Sequence, residues 1–465
     1  MTIFQTKSKD NSNDILSEKT DKHRQLIAKT YQSNTDSDYT EKMEALGKNF
    51  DYQNNKDVYW GKPEFSTLYG TPLYLEASES QKLALNHLYW IGQYSHTANS
   101  EANTILYNRV TAGVFANVPG YEKLCDELNF ETDQEHYHIK TFQRIGYKTK
   151  QALQGKTTFK NVATQNKITP SWRKKLIPQK LQSQFATRWS DSPRTIEESI
   201  LRSLTQLMHG SNGAKYYSKY LTQKEGQSIP TSTGGIIGYA ASPSAFKFMT
   251  LNWGSSPFMA CQYYCLRMIA NMSLKTYEHQ YFKRYRELNK RGEFVPAPTA
   301  VSYFHMLDES FHTTMSQTIA QDVYRDFAPP TAYEKILSNI VMIEAQKGIL
   351  GGLSAWLPAT FRKDEAFFSS LYKLLQSSIF DMSPEEALHW MEKCLCQEHE
   401  GFHSNLKHHQ SLLNDFQRFF GRIDYLWAVN REMKIMKAGG NIERVISDNT
   451  QAFQKFAKSI AVNRD

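Results

Sequence analysis

The most informative segment of the sequence is HMLDESFH, which runs from His305 to His312. His305, Glu309 and His312 stand at positions i, i+4 and i+7, so all three side chains fall on one face of a helix. Two imidazoles and a carboxylate on one stripe can bind one cation or two adjacent cations. The pattern therefore predicts a helix that carries part of a metal site.

A second, weaker element predicts the other half of that site. Glu135 and His138 form a Glu-x2-His motif, as Glu309 and His312 do. Dimetal carboxylate bundles take such a motif from each of two helices and a single Glu from each of two others. Glu101 lies 34 residues before Glu135 and Glu278 lies 31 residues before Glu309, each on the preceding predicted helix. The predicted metal ligands are therefore Glu101, Glu135, His138, Glu278, His305, Glu309 and His312.

The chemistry explains why these residue types are needed together. Four carboxylates can neutralise two ferrous ions, and imidazoles add nitrogen ligands while leaving positions open for dioxygen. Without cations, such a set would be costly to bury. The same metal set serves as the catalytic site, and no separate acid or base is assigned.

Three other groups of residues are weaker candidates for metal binding. The pairs Glu386/His389 and Glu400/His403 also read Glu-x2-His, but they stand among further charged residues typical of a solvated helix surface. The pair Cys394/Cys396 has no second cysteine pair to complete a zinc site.

The helical spacing extends along most of the chain, and few windows alternate with the period of a strand. We therefore predict a mainly α protein, a helical bundle with N-terminal, middle and C-terminal extensions. Residues 1–58 are polar and are predicted to be a flexible lead. Residues 59–330 are predicted to be the bundle, with an insertion at about 149–255, and residues 331–465 a helical extension.

Charge and composition predict the kind of partner and the location of the protein. The net charge of +8 is concentrated in residues 139–190, which hold twelve Lys or Arg and no Asp or Glu. We call this segment the basic strip. It predicts a local acidic partner, and no nucleic-acid motif accompanies it. The five cysteines predict reduced thiols in a cytoplasmic protein. The polar N-terminus predicts no secretory signal. Because no apolar run is long enough, we predict no membrane span.

The ligand series resembles that of the p-aminobenzoate N-oxygenases, which are ferritin-like diiron oxygenases with an additional histidine ligand. Here the match comprises Glu101, Glu135-x2-His138, Glu278 and His305-x3-Glu309-x2-His312. The longer segment between His138 and Glu278 resembles distant relatives of that family, the dimetal-carboxylate alkyl halogenases of the cylindrocyclophane-pathway type.

The resemblance implies a ferritin-like bundle with two iron ions, or a mixed iron–manganese pair, that uses dioxygen. It further implies halogenation of an unactivated carbon, with chloride as co-substrate, on a fatty acyl chain in a biosynthetic pathway. An acidic acyl carrier protein could then dock on the basic strip. An external electron donor and a homo-oligomer are further partners to consider. Two alternatives stay open: N-oxygenation of an amine or arylamine, and a non-catalytic metal-binding scaffold.

Overall fold

The computed structural model describes residues 10–155, 195–224, 226–229 and 242–462. Most of the basic strip, residues 156–190, and the glycine-containing loop at 231–238 lie outside these ranges. Within them the chain is α-helical and has no β-strand, which confirms the predicted fold class.

The helices of the described residues are, in chain order, α1 (Asp10–Asp36), α2 (Thr40–Asn49), α3 (Pro72–Glu76), α4 (Glu79–Phe115), α5 (Glu122–Gln154), α6 (Ile196–Tyr216), α7 (Lys219–Gln223), α8 (Pro243–Trp253), α9 (Pro257–Lys290), α10 (Ala297–Gln321), α11 (Ala332–Ile349), α12 (Phe368–Leu375), α13 (Pro384–Leu395), α14 (Glu400–Phe420), α15 (Ala428–Arg431), α16 (Lys434–Gly439) and α17 (Ile442–Val462). Short 3-10 turns at Val323–Asp326 and Asp364–Phe367 separate some of them.

Four long helices form the central bundle. Helix α4 pairs with α5, α9 pairs with α10, and the two pairs pack against each other through α4 with α9 and α5 with α10. Their ends follow from local sequence. Ser78 caps α4 in a capping box with Gln81, and Ser256 caps α9 just before Pro257. The bundle thus brings all four predicted ligand helices side by side.

Helix α4 is longer than the sequence pattern predicts. The spacing of apolar residues predicts a break before Ser100, but the helix is continuous from Glu79 to Phe115. The reason is that polar residues in its middle, such as Thr97, Glu101 and Asn103, are buried inside the bundle. Their presence hides the apolar period that normally reveals a helix.

The N-terminal segment also differs from the prediction of a flexible lead. Helices α1 and α2 pack on α5 and α10, and Ile27, Asn34 and Met43 are buried. Among residues 22–36 of α1, whose side chains the structure describes, most positions are exposed or half-buried, and the buried ones include the polar Thr30 and Asn34 beside Ile27, so the composition stays polar. The division of the chain into domains stays a prediction.

The C-terminal helices share a core with the bundle. One apolar cluster joins Leu106 and Ile269 of the bundle to Phe416 and Phe420 of α14. Glycine and proline predict breaks in this helical region at Gly351-Gly352, Pro358, Ser383-Pro384 and Gly439-Gly440. In the structure these positions fall between helices or at a helix end. No helix in the described part of the chain combines the length and apolarity needed to cross a bilayer.

Candidate metal centre

The seven predicted ligands all point into the bundle interior. Glu101 comes from α4, Glu135 and His138 from α5, Glu278 from α9, and the remaining three from α10. Each is buried, and the most exposed of them, Glu309, keeps only 5% of its surface. Helical spacing accounts for this arrangement, since residues three, four or seven apart share one face.

Six of these residues, together with Glu131, form two adjacent groups with metal-ligand spacing. The first group contains Glu101, His138, His305 and Glu309, and the second contains Glu131, Glu135 and His312. Within each group, one ligand atom per residue lies within 4.8 Å of the others.

Glu135 stands between the two groups. One of its carboxylate oxygens lies 3.5 Å from His138 Nδ1 and the other lies 3.6 Å from His312 Nδ1. A carboxylate that faces two sites is suited to bridge two ions.

Glu278 lies outside both groups in this structure. Its Oε1 is 2.6 Å from His305 Nδ1 and accepts a hydrogen bond of 2.8 Å from the Tyr94 hydroxyl. Direct metal ligation by Glu278 therefore stays a prediction. In the structure Glu278 contacts His305 Nδ1, the ring nitrogen that faces away from the first group.

The other two imidazoles are held in the same way. His138 Nε2 lies 3.2 Å from Asp308 Oδ2, and His312 Nε2 lies 2.9 Å from Gln134 Oε1. Metal-binding histidines typically donate their second N–H to such a group, which fixes the ring and its tautomer. The remaining nitrogens, Nδ1 of His138 and of His312, face the carboxylates and are the atoms that would bind metal once they are deprotonated.

The junction between α1 and α2 supports both of these contacts. Gln134 exchanges hydrogen bonds of 3.1 Å with Asn34, in both directions. The Tyr39 backbone N–H donates to Asp308 Oδ1 at 3.2 Å. The N-terminal segment is thus part of the frame around the centre.

Several buried polar atoms of the centre lack a hydrogen-bond partner. They include Oε2 of Glu101, Glu135 and Glu278, and Nδ1 of His138. Leaving such atoms buried and unpaired is costly, and charged carboxylates cost most. Divalent cations would satisfy them, so the residues present fit a pair of metal ions.

Sequence reasoning missed the arginine of this centre. Arg267 of α9 pairs with Glu131 and lies 3.4 Å from Glu135 Oε1 through its Nη2. A signal was available, because Arg267 is the only charged residue in the mostly apolar and aromatic stretch at 258–269. Glu131 likewise stands one helical turn before Glu135, and Asp308 directly precedes Glu309.

Charge interactions make the metal-free centre bind protons. Burial, then the charge of Glu135, raises the pKa of Glu101 to about 7. Burial lowers the pKa of His138, but its hydrogen bond with Asp308 and the nearby Glu135 carboxylate outweigh burial and raise the pKa to about 9. Burial opposes the charged form of His312 too, yet Glu131 and Glu309 raise its pKa to about 10.

Metal loading should therefore release protons. His138 and His312 are protonated at pH 7 in the metal-free protein, and a metal ligand must be deprotonated. We expect Fe(II) loading at pH 7 to release more than two protons per chain, because His305, whose pKa is held high by Glu278 and Glu101 against the effect of burial, and in part Glu101 lose theirs as well. Iron affinity should rise as the pH increases from 7 toward 10. A titration in weak buffer with a pH indicator measures the release, and pH-independent affinity without proton release would contradict this expectation.

The outer hydrogen bonds should matter for affinity. Asp308→Ala removes the partner of His138 Nε2 without removing a predicted ligand. We expect metal affinity to fall about 10- to 100-fold, as for other outer partners of ligating histidines. Competition with a chelator measures the affinity, while circular dichroism checks that the helices persist. An unchanged affinity would show that Asp308 does not orient His138.

A cavity of about 400 Å³ opens beside the two groups. Glu101, Glu135 and Glu309 form part of its wall, and the rest comes mainly from α4, α9 and the segment between residues 349 and 374. Large lining side chains are mostly apolar or aromatic: Leu88, Tyr89, Leu274, Trp356, Leu357 and Phe361. The cavity can therefore hold an apolar molecule against the centre.

The rival metal pairs have other roles. Glu386 belongs to the capping box that starts α13, and the Glu400 and His403 side chains are exposed by 60% and 45%. Over the described ranges, no group of three or more metal-type side chains includes these pairs or Cys394 and Cys396.

Comparison with known families agrees with this centre. A family model described as acyl halogenase CylC-like matches residues 22–457. No curated protein and no solved structure matches the chain. The matched range holds every residue of the two groups and confirms the predicted family, whereas the likeness to the N-oxygenases stays a prediction. The chain therefore belongs to the CylC-like family of acyl halogenases.

Proposed function

We propose that this protein is a dioxygen-dependent dimetal-carboxylate halogenase that replaces an unactivated C–H bond of a fatty acyl chain by a carbon–halogen bond. The observation that carries the proposal is a pair of buried Glu/His groups opening onto an apolar cavity. Membership of an acyl halogenase family agrees with both features.

Two iron ions are the metals that this donor set suits. Glu101, His138, His305 and Glu309 would hold one ion, and Glu131, Glu135 and His312 would face the other. Mixed oxygen and imidazole donors in a bundle are the ligand type of diiron and iron–manganese proteins. When bound, the ions supply the reduction of dioxygen and the oxidation of the substrate.

The electron balance implies a partner. Exchange of hydrogen for halide removes two electrons from the acyl chain, and reduction of dioxygen to water takes four. The ferrous pair can supply the two further electrons for one turnover. An external donor must then reduce the oxidised irons before the next turnover.

The chain's own residues bind the substrate and exclude water. The aromatic and aliphatic walls from Tyr89, Trp356 and Phe361 would hold an acyl chain beside Glu101 and Glu309. Because the cavity wall includes the segment between residues 349 and 374, the C-terminal extension serves as one side of the active site. Excluding water in this way also prevents side reactions of the oxidised centre.

The positive charge of the basic strip favours a substrate that is bound to an acidic carrier protein. Acyl carrier proteins are acidic, and the basic strip would steer them toward this protein. Within the described residues, the strip begins with Lys140, Arg144, Lys148 and Lys150 on α5. If the carrier docks on this strip, raising the salt concentration should weaken its binding and slow turnover.

The direct test is an assay with a defined substrate. The Fe(II)-loaded protein is mixed with an acyl carrier protein bearing a saturated fatty acyl chain, chloride and dioxygen. Mass spectrometry should reveal one chlorine in place of one hydrogen, and only when chloride and dioxygen are present. Oxidation of an arylamine without any need for chloride would instead support N-oxygenation, and no turnover by the diiron form would oppose both enzymes.

Gly92 offers a test of the cavity as the acyl site. This glycine lies within α4 and lines the cavity, and a Cβ atom added to it would meet nothing within 4 Å. Gly92→Ala should raise the free energy of unfolding by about 0.5–1 kcal/mol, because glycine is a poor residue inside a helix. Gly92→Leu should reduce turnover of long acyl chains more than that of short ones.

Two measurements separate these effects. Chemical denaturation gives the stability, and competition between carrier-bound chains of different length gives the preference. Equal losses for all chain lengths with Gly92→Leu would contradict the assignment of this cavity to the acyl chain.

A further inference from the structure

Two polar residues of α9 line the cavity next to the metal centre. Arg267 and Asn271 are one helical turn apart, so their side chains fall on the same face. They are buried, with 5% and 6% of their surfaces exposed. The same cavity wall contains Glu101, Glu135 and Glu309. The two residues therefore adjoin the place where the substrate and the metal ions would meet.

Both residues hold hydrogen-bond donors that lack a protein partner. Asn271 Nδ2 and Arg267 Nε are buried and unpaired among the described residues. The other contacts of Arg267 are made by its terminal nitrogens, with Asn108, Glu131 and Glu135. A buried N–H donor without a partner is unusual in a native structure and calls for an acceptor.

The charge of the surroundings limits what that acceptor can be. The carboxylates of the centre disfavour an anion in the metal-free protein, because Arg267 and the protonated imidazoles offset only part of their charge. Two divalent ions would bring four positive charges next to Arg267, offset most of the charge of the carboxylates and attract an anion to the open side of the ions. A small anion is then favoured, and its binding depends on metal loading.

We propose that Asn271 and Arg267 form the halide site of this enzyme. The inference rests on the proposed function, which requires a halide next to the oxidised carbon, and adds the residues that hold it. A chloride or bromide ion would accept the free N–H of Asn271 and take the positive charge of Arg267. It would lie on the cavity side of the centre, facing the acyl chain.

Bromide is the probe for this site because its anomalous X-ray signal locates it without any turnover. Crystals of the anaerobic Fe(II)-loaded protein are grown with sodium bromide, and data are collected at the bromine and iron edges. We expect two iron peaks and a bromine peak near Asn271 Nδ2, and no bromine peak there in metal-free crystals.

Asn271→Leu tests the role of the amide. It keeps a side chain of similar size and removes the donor. The variant should keep both irons and bind halide about 10- to 100-fold more weakly, the range expected for losing a hydrogen bond to an ion. The halide KM should rise to the same extent while the acyl KM stays unchanged. Asn289→Leu makes the same change on an exposed turn of α9 and should leave both values unaltered.

The outcomes distinguish the two proposals. Two irons without bromide at Asn271, or an Asn271→Leu variant with unchanged halide affinity, would overturn the halide site and leave the dimetal enzyme intact. Fewer than two irons in the wild-type crystals would overturn the proposed function itself.

Discussion

Glu309→Ala is expected to prevent the centre from holding a pair of iron ions. Glu309 Oε1 lies 2.9 Å from His312 Nδ1 and 3.6 Å from His305 Nε2, so it contacts both groups of ligands. Burial acts to raise its pKa, but His312 and His305 outweigh burial and hold the pKa well below the usual range, so the carboxylate is charged. Its loss removes a negative charge and a shared ligand at once.

The measurement is the number of irons per chain. Apoprotein is loaded anaerobically with Fe(II), freed of excess metal and analysed. We expect about two irons in the wild type, as in other dimetal carboxylate bundles, and none or one in Glu309→Ala. His305→Ala should lower the count as well, because His305 Nε2 lies 2.9 Å from Glu101 Oε1 in the first group.

A surface carboxylate provides the control. Glu400→Ala removes the exposed Glu of another Glu-x2-His motif and should leave the iron count unchanged. Full iron loading of Glu309→Ala would refute the assignment of this ligand. A wild-type chain that takes up fewer than two irons would oppose the dimetal enzyme and favour a non-catalytic protein.

The second large effect is expected on stability. Arg267 is buried with Glu131 and Glu135, neither of which is solvated. Removing one partner of a buried ion pair leaves an uncompensated charge and typically costs about 3–5 kcal/mol. Arg267→Met fills similar space without the charge, so we expect the metal-free protein to lose stability by about that amount.

Chemical denaturation of the metal-free chains measures this loss. Arg286→Met, an exposed position on the same helix, is the matched control and should be nearly neutral. The double variant Arg267→Met/Glu131→Gln should recover part of the loss, since it removes one of the charges left unpaired. A stable Arg267→Met chain would show that these carboxylates do not depend on the arginine.

The sequence determined the fold class and most of the centre. Helical spacing predicts helices at about 122–148, 257–291 and 299–327, which overlap α5, α9 and α10 with ends that differ by at most six residues. The fixed geometry of a helix also suffices to put His305, Glu309 and His312 on one face. The similar separations along the sequence, from Glu101 to Glu135 and from Glu278 to Glu309, then predicted which helices form pairs.

The grouping of these residues and their contacts are visible only in the tertiary structure. Contacts between helices have no signal in local spacing, so the sequence could not show that Glu131 lies in the second group or that Arg267 faces Glu135. The same limit applies to Glu278, whose observed partners are His305 and Tyr94.

The N-terminal segment is the clearest case of this difference. Its polar composition predicted a flexible lead, whereas Asn34 and Tyr39 support the partners of His312 and His138. A buried polar residue has the same letter as an exposed one, and only the packing of α1 and α2 on the bundle distinguishes them. Local helix geometry was therefore enough to predict from the sequence that Glu and His side chains share one face on α5 and on α10. The tertiary structure decided which groups orient them and what cavity they face, because those contacts join residues far apart in the chain.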